Sequence, residues 1–482
     1  MTTAIIDRRT MSTGRMFLFA VHAAGPLVVF IGAIASAYAV SGTPGLPLAF
    51  VLVTGVLTLL AVGYAGVARR VPHAAPYYAT VARGLGRPAG VAAGFVALTA
   101  YNAILCCMYG LLGGYLAEAM LGGTWWVYAL IAWAGVALLG VRPVVVSSWL
   151  LIASLAVAVL VIGALVAAAV AHPAEGHLSG LGYSWHALRV GGLASALVMC
   201  VASVMGFDGA LTFSTEAVRP SGPRRAMIGG LLTLGVVYSV MAWAVGVANG
   251  PSAVAAVAAD PTAQVPLNTM IATYGFLSGP VSQLAAVFGM FTTMLSVHAI
   301  TARYGYAMAT EQVLPARVAH TGRFELAGSP VGGSVLQSGV GLAVIGGFAI
   351  SGADPLTTMF PWLATLGALG LVLLLCAASV AAVSYLPSGD GVWTRWVAPS
   401  LGFPLGVALL AAMLTHGAAL LGTAPGSLLP LVIPLVLVLA VVAGLTWAAR
   451  LAASRPDVYR RISYGVPQPL ETPDRLLTAM EL

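Results

Sequence analysis

The chain contains no lysine, and only 7% of its 482 residues are charged. A soluble globular domain has about 25% charged residues. Hydrophobic residues make up 60% of this chain, so its composition excludes a soluble protein and predicts an integral membrane protein. Because all 21 basic residues are arginine, no lysine within a helix can serve as an ion-coupling group.

The sequence also lacks the groupings that would support a cofactor, a metal or an active site. The four cysteines lie in apolar segments and are expected to be small core side chains: Cys106, Cys107, Cys200 and Cys376. Three histidines between His172 and Arg189 are spaced by five and nine residues, which is not a metal-ligand pattern. No stretch resembles a nucleotide-binding loop, which excludes an ATP-driven pump on this chain. We predict no enzyme activity, no cofactor and no nucleic-acid partner.

Long apolar runs occupy most of the chain, and about 20 apolar residues suffice for a helix to cross ~30 Å of hydrocarbon. We predict twelve such helices, numbered in chain order: 17–40, 46–69, 88–120, 125–141, 144–171, 192–213, 226–248, 278–306, 331–350, 355–385, 396–420 and 427–450.

The arginines indicate the orientation of these helices. Twenty of the 21 precede helix 1, lie in or border alternate loops, or lie at the end of helix 12 and in the tail, and only Arg189 lies in the remaining loops. Because arginine-rich loops stay cytoplasmic, we expect both termini in the cytoplasm and the protein in the plasma membrane. Residues 1–16 and 452–482 are then cytoplasmic segments, and 172–191 is an external loop.

Helix 6 carries one carboxylate, Asp208, in the stretch Met205–Ala210, close to Gly206 and Gly209. A charge at mid-membrane depth is costly and is usually functional. Glycines allow the backbone to leave helical geometry, and a broken helix offers free N–H and C=O groups to a polar solute. We interpret this stretch as a substrate site; the alternative is a buried acid that pairs with a neighbouring helix for structure.

Helix 1 has a matching group of small residues between Gly25 and Ser36. Paired interruptions at corresponding positions of two halves indicate a site at the membrane midplane. If the repeat is five helices long, it covers 17–171 and 192–385 in inverted topology. Helices 11 and 12, at 386–451, then lie outside the repeat.

Several stretches resemble the amino acid–polyamine–organocation (APC) superfamily. Residues 71–78 (VPHAAPYY) and 83–86 (RGLG) are similar to its P-x-A-G-x-x-Y and G-L-G. Further matches are 206–209 (GFDG), 214–217 (STEA), 219–226 (RPSGPRRA), 302–308 (ARYGYAM), 313–315 (VLP) and 360–363 (FPWL). The chain departs from the family at 310–312, where TEQ replaces R-D-G. The resemblance spans roughly residues 15–465.

The resemblance implies an all-α, LeuT-type 5+5 inverted repeat with alternating access around a site between helices 1, 3, 6, 8 and 10. Members of the family carry amino acids, amines or polyamines, often with protons. The implied pocket walls on helix 3 are Ile104 and Tyr109. Trp362 on helix 10 is either pocket lining or packing.

An amino acid zwitterion needs donors for its carboxylate and acceptors for its ammonium group. Free N–H groups near Ile31, Gly32, Ala33 and Ile34 would hold the carboxylate, unless these small residues only pack against another helix. Carbonyls of Met205 and Phe207, with Asp208, would bind the ammonium group. Phe207 could also cover the solute.

Two histidines lie within helices, His298 in helix 8 and His22 in helix 1. Histidine changes charge near neutral pH, so each is a candidate proton relay. We name Asp208 and His298 as coupling residues; a neutral histidine bonded to a carbonyl is the alternative for either one.

We therefore predict a secondary transporter that imports an amino acid, coupled to protons, with the lipid bilayer as its surroundings. A polyamine or other amine permease or exchanger of the same fold is the main alternative. A solute-sensing receptor is a further alternative, although the tail of about 30 residues is too short for a signalling domain. The oligomeric state is left open.

The orientation is testable with fused reporters. A reporter fused after Leu482 should behave as cytoplasmic, because the arginine-rich loops retain that side. A reporter inserted near Gly180 should behave as external. An external reporter after Leu482 would contradict both the orientation and the inverted repeat.

Overall fold

A computed structural model describes residues 10–142, 144–189, 192–321, 329–423 and 427–464. This part of the chain is helical and forms no β-strand; one isolated bridge joins Met11 to Ala217. The ends of the predicted cytoplasmic segments, 1–9 and 465–482, lie outside the described residues, as do Arg8, Arg9, Arg323 and Arg475.

Eleven helices in the described residues are long and apolar enough to span a membrane. A twelfth, Trp125–Gly140, is apolar but has 16 residues. We label all of them in chain order: α1 Thr13–Ser41, α2 Leu46–Arg70, α3 Arg87–Leu121, α4 Trp125–Gly140, α5 Ser147–Ala171, α6 Leu193–Glu216, α7 Gly222–Asn249, α8 Ser278–Thr310, α9 Val331–Ser351, α10 Pro355–Tyr385, α11 Trp393–Thr415 and α12 Leu429–Ser454.

The all-α membrane architecture is confirmed, and the predicted helix ends lie within five residues of the observed ones. Since α4 extends about 24 Å at 1.5 Å per residue, the count of twelve spans stays a prediction. The inverted repeat also stays a prediction. The four cysteines are buried and free, in keeping with core side chains.

Burial separates the helices into inner and outer groups. In the most apolar window of α6, 83% of the residues are buried, and the corresponding value is 78% for α3, α8 and α10 and 72% for α1. Only 17% is buried in α12 and 28% in α5 and α9. The five most buried of the eleven long helices are therefore the five that the family resemblance places around the solute.

Two of these inner helices are interrupted at glycines with left-handed backbone conformations. In α6 the α-helix ends at Ser203, Gly206 has φ +93°, and a 3-10 helix runs over Phe207–Glu216. In α1 the first α-helix, Thr13–Ala23, ends before Gly25, which has φ +59°. Glycine adopts these angles without the steric cost that a side chain adds.

The expected position of the α1 interruption, near Gly32, is wrong. Residues Val29–Ala33 form a π-helix that continues into the α-helix Ile34–Ser41, and the Ile34 N–H donates to the Val29 carbonyl. The chain breaks instead at Gly25-Pro26, where proline has no N–H to donate and starts the next helical turn.

Short helices connect or follow the long ones. Pro76–Leu85 lies between α2 and α3 and packs on α3 and α10. Three lie in the α5–α6 and α7–α8 connections: Trp185–Arg189, Val254–Ala259 and Leu267–Tyr274. Pro456–Arg461 follows α12 and packs against it.

The close crossing of α8 and α9 gives a stability prediction. A Cβ at Gly333 would lie 2.0 Å from the carbonyl oxygen of Ala302, which the helix backbone holds in place. We expect Gly333→Ala to lower the free energy of unfolding by about 1–3 kcal/mol, measured by thermal unfolding in detergent. Gly339→Ala in the same helix is the control, because nothing lies within 4 Å of its Cβ position. Equal melting temperatures for the two variants would contradict the packing.

Candidate substrate site

The interruptions of α1 and α6 lie against each other. A Cβ at Gly206 would be 2.7 Å from the Ala23 Cβ and 2.9 Å from the Ala23 carbonyl oxygen. Both glycines are thus required by conformation and by close approach. The contact concentrates the ends of four helical segments, with their unpaired backbone groups, at one place in the protein core.

Neighbouring helices satisfy part of this exposed backbone. The Tyr238 hydroxyl of α7 donates to the Ala24 carbonyl (2.9 Å), and the Ser296 hydroxyl of α8 donates to the Phe19 carbonyl (2.7 Å). Thr293 of α8 faces Gly25, since a Cβ there would lie 2.9 Å from its Oγ1. That oxygen is buried and has no hydrogen-bond partner among the described residues. A polar stripe of α8 therefore lines the α1 interruption.

Asp208 is completely buried two residues after Gly206. Its Oδ2 accepts a short hydrogen bond from the Tyr101 hydroxyl of α3. Its Oδ1 is buried without a hydrogen bond to the described residues. Three further buried hydroxyls, those of Tyr64, Tyr77 and Tyr304, interact electrostatically with the carboxylate.

The surroundings of Asp208 are hydroxyls and aromatic rings rather than cations. Tyr64 and Tyr77 stack with ring centroids 4.3 Å apart, and the rings of Tyr101 and Tyr304 are 5.9 Å apart. Within the described residues no arginine or histidine nitrogen comes within 4.0 Å of the Asp208 carboxylate. A charged carboxylate that is buried without a counter-charge is costly. The Asp208 carboxylate is therefore expected to bind either a proton or a cation.

The other predicted residues of α1, α3 and α6 differ in burial and in their packing partners. Ile31, Gly32 and Ala33 are half-buried, and Ile34 is buried. Met205 and Phe207 are buried on either side of Gly206, and Gly209 packs on Ile300 of α8. Ile104 packs on Gly367 of α10, where a Cβ would lie 2.6 Å from its Cγ1.

The described contacts of Tyr109 and His298 are with α9 rather than with Asp208. Tyr109 packs against Gly341 of α9. Trp362 is half-buried in α10, and its choice between pocket lining and packing stays a prediction. The His298 Nε2 lies 2.7 Å from the Ser334 Oγ of α9, and its ring fills the space beside Gly140 of α4. At 100° per residue, His298 is about 140–160° around α8 from Thr293, Ser296 and Ile300. The expectation that His298 faces the site is therefore wrong.

His22 follows the alternative described for it. It is buried, and its Nδ1 lies 2.8 Å from the Leu18 carbonyl oxygen, to which only a protonated nitrogen can donate. A histidine held in this way stabilises the end of the first α1 segment.

The amino acid permease family model matches residues 11–415. This range includes both helix interruptions, Asp208 and the whole tyrosine cluster. The chain belongs to the amino acid permease family. That family is part of the APC superfamily, so the predicted relationship is confirmed. No curated protein matches the chain. The permease is thus a multi-pass membrane transporter of the APC type.

A second acid of the permease, Glu216, pairs with a cation. The Glu216 Oε1 lies 2.7 Å from the Arg303 Nε, and both side chains are buried. The Arg303 guanidinium also lies 4.7 Å from the centroid of the Phe213 ring. This ion pair fixes the end of α6 to α8 on the arginine-rich side of the permease.

A third acid, Glu311, was not identified from the sequence as a site residue. It is buried just after α8 and accepts hydrogen bonds from the His73 Nε2 (3.0 Å), the Tyr78 hydroxyl and the Ser463 N–H (2.9 Å). The His73 Nδ1 accepts from the Ala75 N–H (2.9 Å), so the ring proton is on Nε2. These partners are far apart in sequence, and only the fold brings them together.

Glu311 makes stability depend on pH. Burial opposes ionisation of this carboxyl, but donation from His73, Tyr78 and the Ser463 N–H outweighs it and lowers its pKa. Because the folded pKa is below the unfolded one, the stabilisation is present above the unfolded pKa and is lost as pH falls through the folded pKa. We expect the melting temperature to fall as pH drops from 6 towards about 3.5. Glu311→Gln should flatten this dependence; an unchanged slope would contradict the assignment.

Proposed function

We propose that the permease imports an amino acid across the plasma membrane by alternating access and that a proton accompanies it. The observation that carries this proposal is Asp208, a buried carboxylate beside two touching helix interruptions. It has hydroxyl groups around it, and no side-chain cation of the described residues pairs with it. Such a group can gain a proton or contact an ammonium group without first breaking an ion pair.

The interruptions supply the complementary backbone groups. The helical segment that starts at Pro26 begins beside the Ala23–Gly206 contact, and the N–H groups of its first turn, at Leu27 and Val28, have no carbonyl partner within the helix. An amino acid carboxylate is stabilised at such a positive helix end. The α6 segment that ends at Ser203 leaves carbonyl groups that can accept from an ammonium group. One zwitterion therefore fits the polarity of the paired breaks.

The number of available acids argues for a zwitterion over a polyamine. Glu216 is paired with Arg303, and Glu311 is bonded to three donors. The described residues include three buried acids, and Asp208 is the third. A polycation needs more than one carboxylate, whereas a zwitterion or a monoamine needs one.

Proton coupling is supported by residue chemistry. The chain has no lysine, and His298 of α8 packs against α4 and α9. These facts leave Asp208 as the coupling candidate that lies beside both interruptions. Its hydroxyl neighbours can donate to the charged carboxylate, and a tyrosine hydroxyl can also accept from the protonated form.

Transport into proteoliposomes tests the proposal and the role of Asp208 together. The purified permease should take up radiolabelled amino acids from an equimolar mixture of all twenty, faster with an inward proton gradient and equally well when choline replaces sodium. Asp208→Asn should reduce uptake at least about tenfold, or ~1.4 kcal/mol, because it removes the titrating charge at constant volume. It should still fold, since neutralising a buried charge lowers its desolvation cost.

The matched control is Asp260→Asn, which neutralises an exposed acid in the α7–α8 connection and should transport normally. Strict dependence on sodium would refute proton coupling. Folded Asp208→Asn protein with the uptake and pH profile of the wild type would exclude Asp208 from the mechanism.

A further inference from the structure

The segment that follows α12 is bound to the arginine-rich side of the permease by contacts with distant parts of the chain. The Arg83 guanidinium lies 3.7 Å from the centroid of the Tyr464 ring, and its Nη2 donates to the Ser463 carbonyl (3.4 Å). Val458 and Ile462 are buried. We call residues 456–464 the C-terminal strap.

Two further arginines bind the strap and the residue before it to the rest of the chain. The Arg87 Nη2 at the start of α3 donates to the Arg460 carbonyl (3.2 Å), and the Arg455 Nη2 donates to the Gln312 side chain (2.9 Å). The strap therefore reaches the short helix 76–85, α3 and the end of α8 together. A segment that merely trails from the last helix would make none of these contacts.

Glu311 is the point at which the strap meets the connection between α2 and α3. The Ser463 N–H and the Tyr78 hydroxyl donate to the same carboxylate oxygen, and His73 donates to the other. Hydrogen bonds to an ionised group are the stronger kind, and a buried carboxylate that loses a donor is destabilised. The three segments are thus held by one buried charge.

The connection between α2 and α3 is also bonded to the part of α6 that follows the α6 interruption. The His73 N–H donates to the Ser214 Oγ (2.9 Å), and the Ser214 hydroxyl lies 3.1 Å from the His73 carbonyl. The Tyr78 N–H donates to the Tyr304 hydroxyl (2.9 Å), and the Tyr304 ring packs near Tyr101, the partner of Asp208. Movement of the α6 3-10 segment away from α8 would therefore strain the bonds at Glu311.

We propose that Glu311 is a positioning residue of the transport cycle: it binds the strap to the α2–α3 connection, keeps the arginine-rich side closed, and must release the Ser463 N–H when that side opens. This inference rests on the proposed function, because opening on this side is the step that delivers the solute. It assigns the strap a gating role.

Two pairs of variants separate this role from simple anchoring. Glu311→Gln keeps the shape of the side chain and removes its charge. Ser463→Pro leaves Glu311 intact, removes the N–H donor and cannot adopt the observed φ of +71° at Ser463. Ser463→Gly keeps the N–H and adopts that angle without strain, so it should hold the strap at least as well as the wild type. Arg461→Gln is the control within the strap, because among the described residues the Arg461 side chain bonds to Asp457 of its own helix.

Hydrogen exchange of the full-length protein in lipid nanodiscs is the measurement. In Glu311→Gln and Ser463→Pro we expect amides of residues 459–464 and of the α6 segment 207–216 to exchange at least about tenfold faster, while those of α12 stay unchanged. Ser463→Gly and Arg461→Gln should match the wild type at 207–216. Melting temperatures identify any variant that is globally destabilised.

Faster exchange confined to 459–464, with 207–216 unchanged in both variants, would make the contact a static anchor and overturn the inference. If the wild type took up no amino acid while 207–216 opened as expected, the proposed function would fail and the closing role of Glu311 would stand. Normal uptake by the wild type together with unchanged exchange at 207–216 would refute the closing role alone.

Discussion

The structure depends on satisfying polar groups where no water is available. A helix that breaks inside hydrocarbon exposes N–H and C=O groups, and each costs several kcal/mol if it stays unpaired. The permease breaks two helices and places the breaks against each other, with Gly206 in contact with Ala23. Tyr238 and Ser296 then bond to carbonyls of α1. The five inner helices are buried because they surround these groups.

The same constraint explains the distribution of charge in the core. Glu216 has Arg303 beside it, and Glu311 accepts from His73, Tyr78 and the Ser463 N–H, so both buried acids have partners. Asp208 has a ring of tyrosines in place of a cation. Tyrosine hydroxyls stabilise the acid in either protonation state, whereas an arginine would fix it as the anion. Hydroxyl neighbours of this kind are compatible with the proposed role of Asp208 in proton coupling.

The sequence predicted the helices and the α6 interruption correctly. It did not predict which residues distant in the chain come together. Long apolar runs have nearly unambiguous ends, so the predicted bounds match the observed ones closely. Gly206 beside a lone acid marked the α6 break correctly. In α1 the small residues extend from Gly25 to Ser36, and the later ones serve helix packing; the Gly25-Pro26 pair was the more specific breaking signal.

The side of a helix on which a residue lies was the second source of error. His298 is within a span, as predicted, but a lone histidine in an apolar helix does not reveal which neighbour it faces. The tyrosines around Asp208 come from α2, α3, α8 and the short helix 76–85, and no local pattern joins them. The unusual Thr310-Glu311-Gln312 was visible as a departure from the family, yet its partner Ser463 lies 152 residues away. Contacts of that separation are decided by packing, which the sequence pattern of a single helix does not encode.

The two ends of the tyrosine network suggest how solute binding and closure are connected in space. Tyr101 contacts Asp208 at the interruptions, its ring lies near Tyr304, and Tyr304 accepts from the Tyr78 backbone while the Tyr78 side chain bonds to Glu311. A chain of contacts is not by itself energetic coupling, which needs an element with two discrete arrangements that both ends bias. The 3-10 segment of α6 is the candidate element, because one end carries Asp208 and the other is bonded to His73 through Ser214 and to α8 through Glu216. Under the two proposals, a change of charge at Asp208 would act on the start of this segment, and release of the strap would act on the connection that holds its end.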